Sequence, residues 1–357
     1  MTIEREIERE WVSAVAPSAG EAGHGSKPCQ GLYHRAAGAK PSVAFVATHY
    51  EVDFAEHYLA PYLAERGYGF LGWNTRYRGN EAFFQLDRAL EDIEVGVRWL
   101  RDAADVDTVV LLGNSGGGSL MAAYQARAQS DADVAGDLYV SINSHPGRPE
   151  VLTAWLDPSV TDETDPLSVD PELYMFDPRH GPPYPKAFVE RYRAAQVARN
   201  QRITAWAHQE RERMQAAGAF DRMFTVPRAW ADLRFADLTL DPSDRAAGCY
   251  FGDAQQANAW PFGLARACTL RSWLEMWSLE ASLCRGSLHL PKITVPALVV
   301  QSLGDRGVFP SDAHAIHDAL GSDDTTLELV PGEHYLEDGG RPAVADLISD
   351  WVRERHS

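Results

Sequence analysis

The sequence has few cysteines and no long hydrophobic run. Its four cysteines (Cys29, Cys249, Cys268 and Cys284) lie far apart and form no C-x-x-C pair. Neither a disulfide framework nor a zinc site is therefore expected, and buried thiols in a reducing, cytoplasmic compartment are predicted. Because no run of about 18 apolar residues occurs, no membrane-spanning segment is predicted. The charged N-terminus lacks an apolar core, so no secretory signal is predicted.

Positive charge is also scarce. The chain has 33 Lys and Arg residues against 51 Asp and Glu residues, and a net charge of −18. This balance argues against nucleic acid or an anionic membrane as a partner. The predicted partner is a small-molecule substrate, and a homodimer is left open. At 357 residues, 45% of them hydrophobic, the chain is long enough for a large core with one inserted subdomain.

The first 145 residues alternate between strand and helix patterns. The first thirty are predicted to be irregular after a short charged helix, and an edge strand is predicted at 29–36. Such alternation predicts a parallel sheet with helices on both faces, whose ligands bind at the carboxyl ends of the strands. Apolar runs predict strands at 42–48, 68–73, 109–112 and 135–144, with helices at 54–66, 82–102 and 120–129.

Residues 146–290 interrupt this alternation. An Asp- and Pro-rich stretch at 157–185 predicts turns, and helices are predicted at 186–217 and 270–283. The block is too long for a loop, so it is predicted to be a mainly helical cap. The alternation then resumes, which predicts a core of residues 1–145 and 291–357. The resumed elements are strands at 295–301 and 325–330 and helices at 311–320 and 341–355.

A glycine-rich corner joins the strand at 109–112 to the following helix, and it carries the serine Ser115. A tight strand–helix turn leaves no room for side chains two residues before and after the serine, which suits Gly113 and Gly117. The corner is not a phosphate loop, because G-x-x-x-x-G-K-[ST] is absent and Ser115 replaces the second glycine of G-x-G-x-x-G. The stretch Gly113-Asn114-Ser115-Gly116-Gly117 resembles the nucleophile elbow of the α/β-hydrolase superfamily.

This resemblance covers residues 1–145 and 291–357. It implies an α/β fold with a mostly parallel central sheet flanked by helices, and a catalytic triad in the chain order Ser, Asp, His. Asp305 follows the strand at 295–301 and His334 follows the strand at 325–330, the positions of the acid and the base. Asp312 and Asp253 compete for the role of acid. Asp312 is expected in the first turn of a helix, where a carboxylate is ordinary.

The resemblance also implies an oxyanion hole formed by two backbone N–H groups. One is that of Gly116, after the nucleophile, and the second comes from the loop after the strand at 42–48. In many relatives that loop begins His-Gly, whereas here it begins His49-Tyr50. Tyr50 is therefore the predicted second donor, with Glu51 as the alternative.

The cap contains six of the ten tryptophans, which predicts either an aromatic roof for a bulky apolar group or the cap's own core. Trp273 and Trp277, together with His145 at a strand end, are the predicted substrate-binding residues. Arg76 and Arg78 are expected to be solvated, and binding of a substrate carboxylate is the alternative. His34 and His57 are expected on exposed elements. His314 and His317 are expected on a solvated helix face, and metal binding is the alternative.

These features predict a serine hydrolase that cleaves a carboxylic ester, thioester or lactone without a cofactor. A C–C bond hydrolase is an alternative, because Gly-Asn-Ser also occurs in relatives that cleave vinylogous diketones. An acyltransferase would use the same residues, and a non-catalytic binder is a third hypothesis. The acyl preference depends on how the cap covers Ser115, which the sequence does not determine.

Overall fold

The computed structural model describes residues 5–18 and 28–356. Within them, eight strands form one sheet and two short strands form a separate pair. The irregular stretch predicted before residue 30 falls partly on 19–27, outside the described residues. The strands are β1 (Ile7–Ala14), β2 (Cys29–Ala36), β3 (Val43–Ala47), β4 (Gly69–Asn74), β5 (Thr108–Ser115), β6 (Leu138–Ser144), β7 (Met223–Phe224), β8 (Cys268–Thr269), β9 (Ala297–Ser302) and β10 (Thr325–Val330).

Helices cover both faces of the sheet, and helices joined by long irregular stretches form the insertion between β6 and β9. The longest, α5, has 31 residues. The helices are α1 (Ala60–Glu65), α2 (Leu86–Asp102), α3 (Gly117–Ala128), α4 (Arg148–Trp155), α5 (Lys186–Ala216), α6 (Ala254–Ala259), α7 (Leu270–Ser272), α8 (Gly286–His289), α9 (Pro310–Ala319) and α10 (Gly340–Arg355). None of the described helices is both long and apolar enough to cross a membrane.

The large sheet has the order β1-β2-β4-β3-β5-β6-β9-β10. Six strands of this sheet run parallel to one another: β3, β4, β5, β6, β9 and β10. At one edge, β2 pairs antiparallel with β4, and β1 pairs antiparallel with β2. Along β5, Val109 and Leu111 pack into one apolar cluster while Val110 and Leu112 pack into another on the opposite face. A strand buried on both faces needs such an uninterrupted apolar run. The α/β fold and the helical insertion predicted from the sequence are confirmed.

The prediction of a helix at the N-terminus was wrong. Residues Ile7–Ala14 form the edge strand β1, which pairs with all of β2. Arg35 on β2 lies 3.2 Å from Glu8 and 3.5 Å from Glu10, so charged residues on the edge are paired across the strands. Consequently β2, predicted as the edge, has neighbours on both sides.

Two predicted helices are shorter than expected. The helix predicted at 54–66 is confined to α1, whose first turn contains Pro61. Proline is tolerated in a first turn and disrupts a helix that continues before it, which explains the late start. The helix predicted at 270–283 ends in a π-helical turn at Trp273–Trp277. All four cysteines are buried and free, as expected.

Candidate active site

Ser115 is the last residue of β5, and only Gly116 separates it from α3. Its φ of 56° is in the left-handed region, which few residues other than glycine adopt. A Cβ on Gly113 would lie 2.6 Å from the Cα atom of Gly118. A Cβ on Gly117 would lie 2.2 Å from the Thr48 carbonyl oxygen. The flanking glycines are thus required by the close approach of backbone on both sides of the serine.

Asp305 and His334 form a buried pair in the loops after β9 and β10. His334 Nδ1 lies 2.6 Å from Asp305 Oδ2, and the carboxylate side chain is fully buried. The other carboxylate oxygen accepts hydrogen bonds from the N–H groups of Gly307 at 2.8 Å and Val308 at 3.1 Å. When Nδ1 donates its proton to the carboxylate, Nε2 of the neutral imidazole is left as a proton acceptor.

Asn143, at the end of β6, joins these loops to the rest of the sheet edge. Its Nδ2 donates to the hydroxyl of Ser302 and to the carbonyl of His334, both at 2.9 Å. Its Oδ1 accepts from the Ser302 N–H at 2.7 Å. Two residues further on, the His145 N–H donates to the carbonyl oxygen of Ser115 at 2.9 Å. The serine corner and the loops that carry Asp305 and His334 therefore share one hydrogen-bonded edge.

Two further histidines lie at this edge. Only 5% of His49 and 3% of His145 is exposed. Burial lowers the pKa of each well below its usual range, and it is assisted by the positive charge of Arg148 at His49 and by the neighbouring His334 at His145. Both imidazoles are consequently neutral at neutral pH.

The proton of His49 is assigned to Nε2 from its hydrogen bonds. Nδ1 accepts from the N–H groups of Glu51 at 3.3 Å and Val52 at 3.2 Å, so it carries no proton. A Cβ on Gly116 would lie 2.7 Å from Nε2. His49 therefore presents an N–H donor beside the residue that follows Ser115.

The two predicted oxyanion donors differ from the alternative donor in the hydrogen bonding of their backbone N–H groups. Neither the Gly116 nor the Tyr50 N–H has a hydrogen-bond acceptor within the described part of the chain. The Glu51 N–H, by contrast, is engaged by His49. The side chain of Tyr50 is buried, and its hydroxyl lies 3.1 Å from Ser119 Oγ on α3. Tyr50 thus remains the predicted partner of Gly116.

Arg148, the first residue of α4, reaches the same corner from the cap side. Only 1% of it is exposed. Its guanidinium lies over the rings of Tyr50 and Trp277, at 4.8 and 4.5 Å from the centroids. Its Nη2 is 3.3 Å from the Glu81 carboxylate and 3.6 Å from that of Glu51. Aromatic faces and carboxylates therefore hold a buried cation next to the oxyanion loop.

Tyr250 brings the cap into contact with the acid–base pair. Its ring centroid lies 4.5 Å from that of His334, and its hydroxyl is 3.2 Å from Nδ1. A Cβ on Gly307 would lie 2.0 Å from the tyrosine Cζ, so the ring rests on the acid loop. Burial and the nearby Asp305 raise the pKa of the phenol, which keeps the hydroxyl protonated.

The three predicted substrate-binding residues have different surroundings. The His145 ring packs edge-on against Trp155 at 5.6 Å, and Trp277 lies under Arg148. Trp273 is completely buried and donates its indole N–H to Thr204 at 3.0 Å on α5. His145 and Trp277 thus lie near Ser115, whereas the contacts of Trp273 are within the cap. Binding of substrate by any of them stays a prediction.

The competing residues have structural roles. Asp312 accepts a hydrogen bond from the backbone N–H three residues earlier, at 3.0 Å, and burial raises its pKa to about 6. Asp253 caps α6 by accepting a hydrogen bond from the N–H of Gln256, three residues later, at 2.8 Å. On α9, His314 is exposed and His317 lies 3.2 Å from the adjacent aspartate. These contacts leave Asp305 as the candidate acid.

Three residues expected at the surface are buried. His34 is inaccessible, and its Nε2 lies 2.8 Å from the carbonyl oxygen of Ala55. His57 is 4% exposed because it packs among aromatic rings. The Arg76 guanidinium pairs with buried Asp92 at 2.6 Å, so it is neither solvated nor free for a substrate. Local pattern did not reveal these partners, which come from other strands and helices.

Comparisons with solved structures support the fold. At 11% identity, 97% of this chain aligns with 96% of an α/β hydrolase, GrgF, from Penicillium sp. sh18, with a TM-score of 0.55. DcsB, in complex with its substrate analogue, is 14% identical over 97% of this chain and 99% of its own, with a TM-score of 0.53. The esterase domain of a Rhodothermus marinus protein is 12% identical over 97% and 98%, with a TM-score of 0.50. The chain has the α/β-hydrolase fold.

Sequence comparisons gave no further information. No protein-family model matches the chain, and no curated protein matches it. The activity therefore has to be argued from the site itself.

Sequence reasoning missed Asn143, Arg148 and Tyr250. Asn143 stands in the same strand-end segment as His145, and this position could have drawn attention to it. Arg148 lies three residues after His145, near the predicted start of the cap. Tyr250 has no local signal, because only the folding of the cap brings it to His334, 84 residues away.

Proposed function

We propose that the chain is a serine hydrolase that cleaves a carboxylic ester, thioester or lactone of a small molecule through an acyl-enzyme. The observation that carries this proposal is the buried hydrogen bond of 2.6 Å between His334 and Asp305. It lies at the sheet edge that also carries the left-handed Ser115. A serine hydroxyl needs an adjacent base to become a nucleophile, and the base needs an acid that orients it.

In the acylation step, His334 Nε2 removes the proton from Ser115 Oγ, and the oxygen attacks the substrate carbonyl carbon. The negative charge that develops on the carbonyl oxygen is stabilised by the N–H groups of Gly116 and Tyr50. Asp305 stabilises the imidazolium without taking the proton. When the tetrahedral intermediate collapses, His334 gives the proton to the leaving alcohol or thiol.

Deacylation repeats the same sequence with water as the nucleophile. His334 removes a proton from the water, and the resulting hydroxide attacks the acyl carbon. When the second tetrahedral intermediate collapses, His334 returns the proton to Ser115 Oγ and the carboxylic acid is released. The positive end of α3, which starts beside Ser115, favours both anionic intermediates.

The decisive experiment is covalent labelling with a fluorophosphonate probe, followed by peptide mapping. We expect the probe on Ser115, and we expect Ser115→Ala to abolish both labelling and hydrolysis of p-nitrophenyl esters. Ser119→Ala removes another serine from the same segment and should leave labelling intact. Full ester hydrolysis by Ser115→Ala would refute the proposal.

Product analysis separates the related reactions. Ester or thioester turnover to a free acid supports the hydrolase. Transfer of the acyl group to an added alcohol in preference to water would favour an acyltransferase, and turnover of a vinylogous diketone alone would favour a C–C bond hydrolase. A chain that neither labels nor turns over any of these substrates would be a binder.

A further inference from the structure

Arg148 is a buried guanidinium whose hydrogen-bond donors are only partly used. Its Nη2 donates to Glu81 at 3.3 Å. Its Nε is inaccessible and has no acceptor among the described residues, and none of them accepts from Nη1. Leaving a buried donor without an acceptor is costly, and it is uncommon in native proteins. Unused donors at this position therefore indicate a missing acceptor.

The Nη1 end of this guanidinium lies beside the serine corner. A Cβ on Gly116 would lie 2.7 Å from Arg148 Nη1 and 2.7 Å from His49 Nε2. His49 carries its proton on Nε2, because Nδ1 accepts two backbone hydrogen bonds. Two side-chain donors thus lie next to the residue whose N–H is the proposed oxyanion donor.

The guanidinium is held rigidly. Tyr50 and Trp277 contact its face, while Glu81 and Glu51 pair with Nη2. Glu81 also accepts a hydrogen bond from the Ala265 N–H of the cap at 3.2 Å. A planar donor fixed in this way loses little entropy when it binds an oxygen atom.

The charge of the groups around Arg148 limits which kind of oxygen atom it can bind. Burial, together with Glu51, raises the pKa of Glu81 well above its usual range, although Arg148 acts in the opposite direction. Glu81 and Glu51, at 3.3 and 3.6 Å from Nη2, offset the charge of Arg148. His49 and His145 are neutral. The pocket at Gly116 consequently offers hydrogen-bond donors without net positive charge, and this favours an uncharged oxygen over a carboxylate.

We propose that Arg148 and His49 bind an oxygen on the β-carbon of the acyl group, so that the substrates are 3-oxoacyl or 3-hydroxyacyl esters or thioesters. This inference rests on the proposed function, because acylation of Ser115 places the scissile carbonyl beside Gly116. In a 3-oxoacyl or 3-hydroxyacyl group the two oxygens lie close together. One can therefore occupy the oxyanion hole while its neighbour meets the donors of Arg148 and His49.

The test compares N-acetylcysteamine thioesters of butyrate, 3-hydroxybutyrate, 3-oxobutyrate and succinate. The measured quantity is the ratio of kcat/KM for each 3-oxygenated substrate to that for butyrate, in the wild type and in Arg148→Met. Comparing the ratio between proteins cancels the intrinsic reactivity of each thioester. We expect it to fall about tenfold or more in the variant, as for a lost hydrogen bond to a charged donor. Succinate should be a poor substrate of the wild type.

Two further variants control this test. Arg285→Met removes a guanidinium that pairs with Glu150 at 2.7 Å near the start of α4, and it should leave the ratio unchanged. Glu51→Gln removes one of the two carboxyl groups that offset the charge of Arg148, so turnover of succinate relative to 3-hydroxybutyrate should rise. If Arg148→Met does not fold, Arg148→Lys and Glu51→Gln supply the same comparison.

The possible failures are distinguishable. An unchanged ratio in a folded Arg148→Met protein whose Ser115 still reacts with a fluorophosphonate would overturn the inference and leave the hydrolase intact. A wild type that turns over none of the thioesters and does not label would overturn both. Preferred turnover of succinate by the wild type would also overturn the inference, because it requires a net positive pocket.

Discussion

The serine corner and the opposite side of the candidate site are built in different ways. The corner is one continuous segment, from the end of β5 to the start of α3. The opposite side combines Asp305, His334, Arg148 and Tyr250, which come from two separate loops and from the cap. The comparison teaches that a strained turn is encoded locally, whereas a buried polar network depends on residues that only the fold brings together.

The two regions are also stabilised by different interactions. At the corner, glycines allow one stretch of backbone to approach another closely. A Cβ on Gly117, for example, would lie only 2.2 Å from the Thr48 carbonyl oxygen. On the opposite side, buried charges are paired or hydrogen-bonded, as in the 2.6 Å contact of Asp305 with His334. Substitution of the corner glycines should therefore affect stability first, and substitutions on the opposite side should affect activity first.

The largest effect is expected for Asp305→Asn. The amide no longer holds the imidazole in the tautomer that accepts the serine proton, so kcat should fall by about 10⁴-fold. Steady-state kinetics with a p-nitrophenyl ester measure this loss. The matched variant Asp312→Asn changes an aspartate that caps α9, and its kcat should stay near that of the wild type. Equal losses in both variants would contradict the assignment of the acid.

At the corner, Gly117→Ala should lower the free energy of unfolding by about 1–3 kcal/mol, because its Cβ collides with backbone that cannot move freely. Urea denaturation followed by tryptophan fluorescence measures the change. The control is Gly218→Ala, just after α5. No atom lies within 4 Å of the Cβ added there, so the positive φ is the source of any strain. A larger loss at Gly218 than at Gly117 would show that space is not the limiting factor at the corner.

His57 contacts the serine corner, because its Nε2 lies 3.3 Å from Asn114 Oδ1. Burial lowers its pKa from 6.5 to about 3. Between these values the unfolded chain binds a proton that the folded chain does not, so the free energy of unfolding falls as the pH decreases. One such group contributes about 1.4 kcal/mol per pH unit.

His57→Asn should reduce that dependence by about one proton between pH 6 and pH 4, measured by urea denaturation across this range. The exposed His314 provides the control, since His314→Asn should leave the slope unchanged. An identical slope in His57→Asn and the wild type would mean that His57 is protonated in the folded protein.

The smallest effect is expected for Tyr250→Phe. The variant keeps the ring that packs on Gly307 and removes the hydroxyl 3.2 Å from His334. We expect kcat to fall by about three- to tenfold with little change in KM, the size of one hydrogen bond.

Tyr335→Phe is the control for this change. Its ring also contacts His334, at 4.8 Å, but it is half exposed and its hydroxyl makes no hydrogen bond to the acid–base pair. Both kcat and KM should stay as in the wild type. If Tyr335→Phe and Tyr250→Phe behaved alike, the effect would come from ring packing and not from the hydroxyl.

Much of the fold followed from local pattern. The strand predicted at 325–330 coincides with β10, and the helix predicted at 186–217 differs from α5 by one residue. The failures occurred where tertiary pairing overrides local preference. The charged segment at Ile7–Ala14 looks helical by itself and becomes a strand because β2 offers it a complete set of backbone partners.

The sequence by itself determined the strand–helix order, the glycine-rich turn at Ser115 and the chain order of serine, aspartate and histidine. Each is a local feature, since hydrophobic periodicity and glycine spacing act within a few residues. The tertiary structure alone decided that Tyr250 contacts His334 and that Arg148 reaches Gly116. The residues of these two contacts lie 84 and 32 positions apart in the chain, so no local pattern specifies either contact.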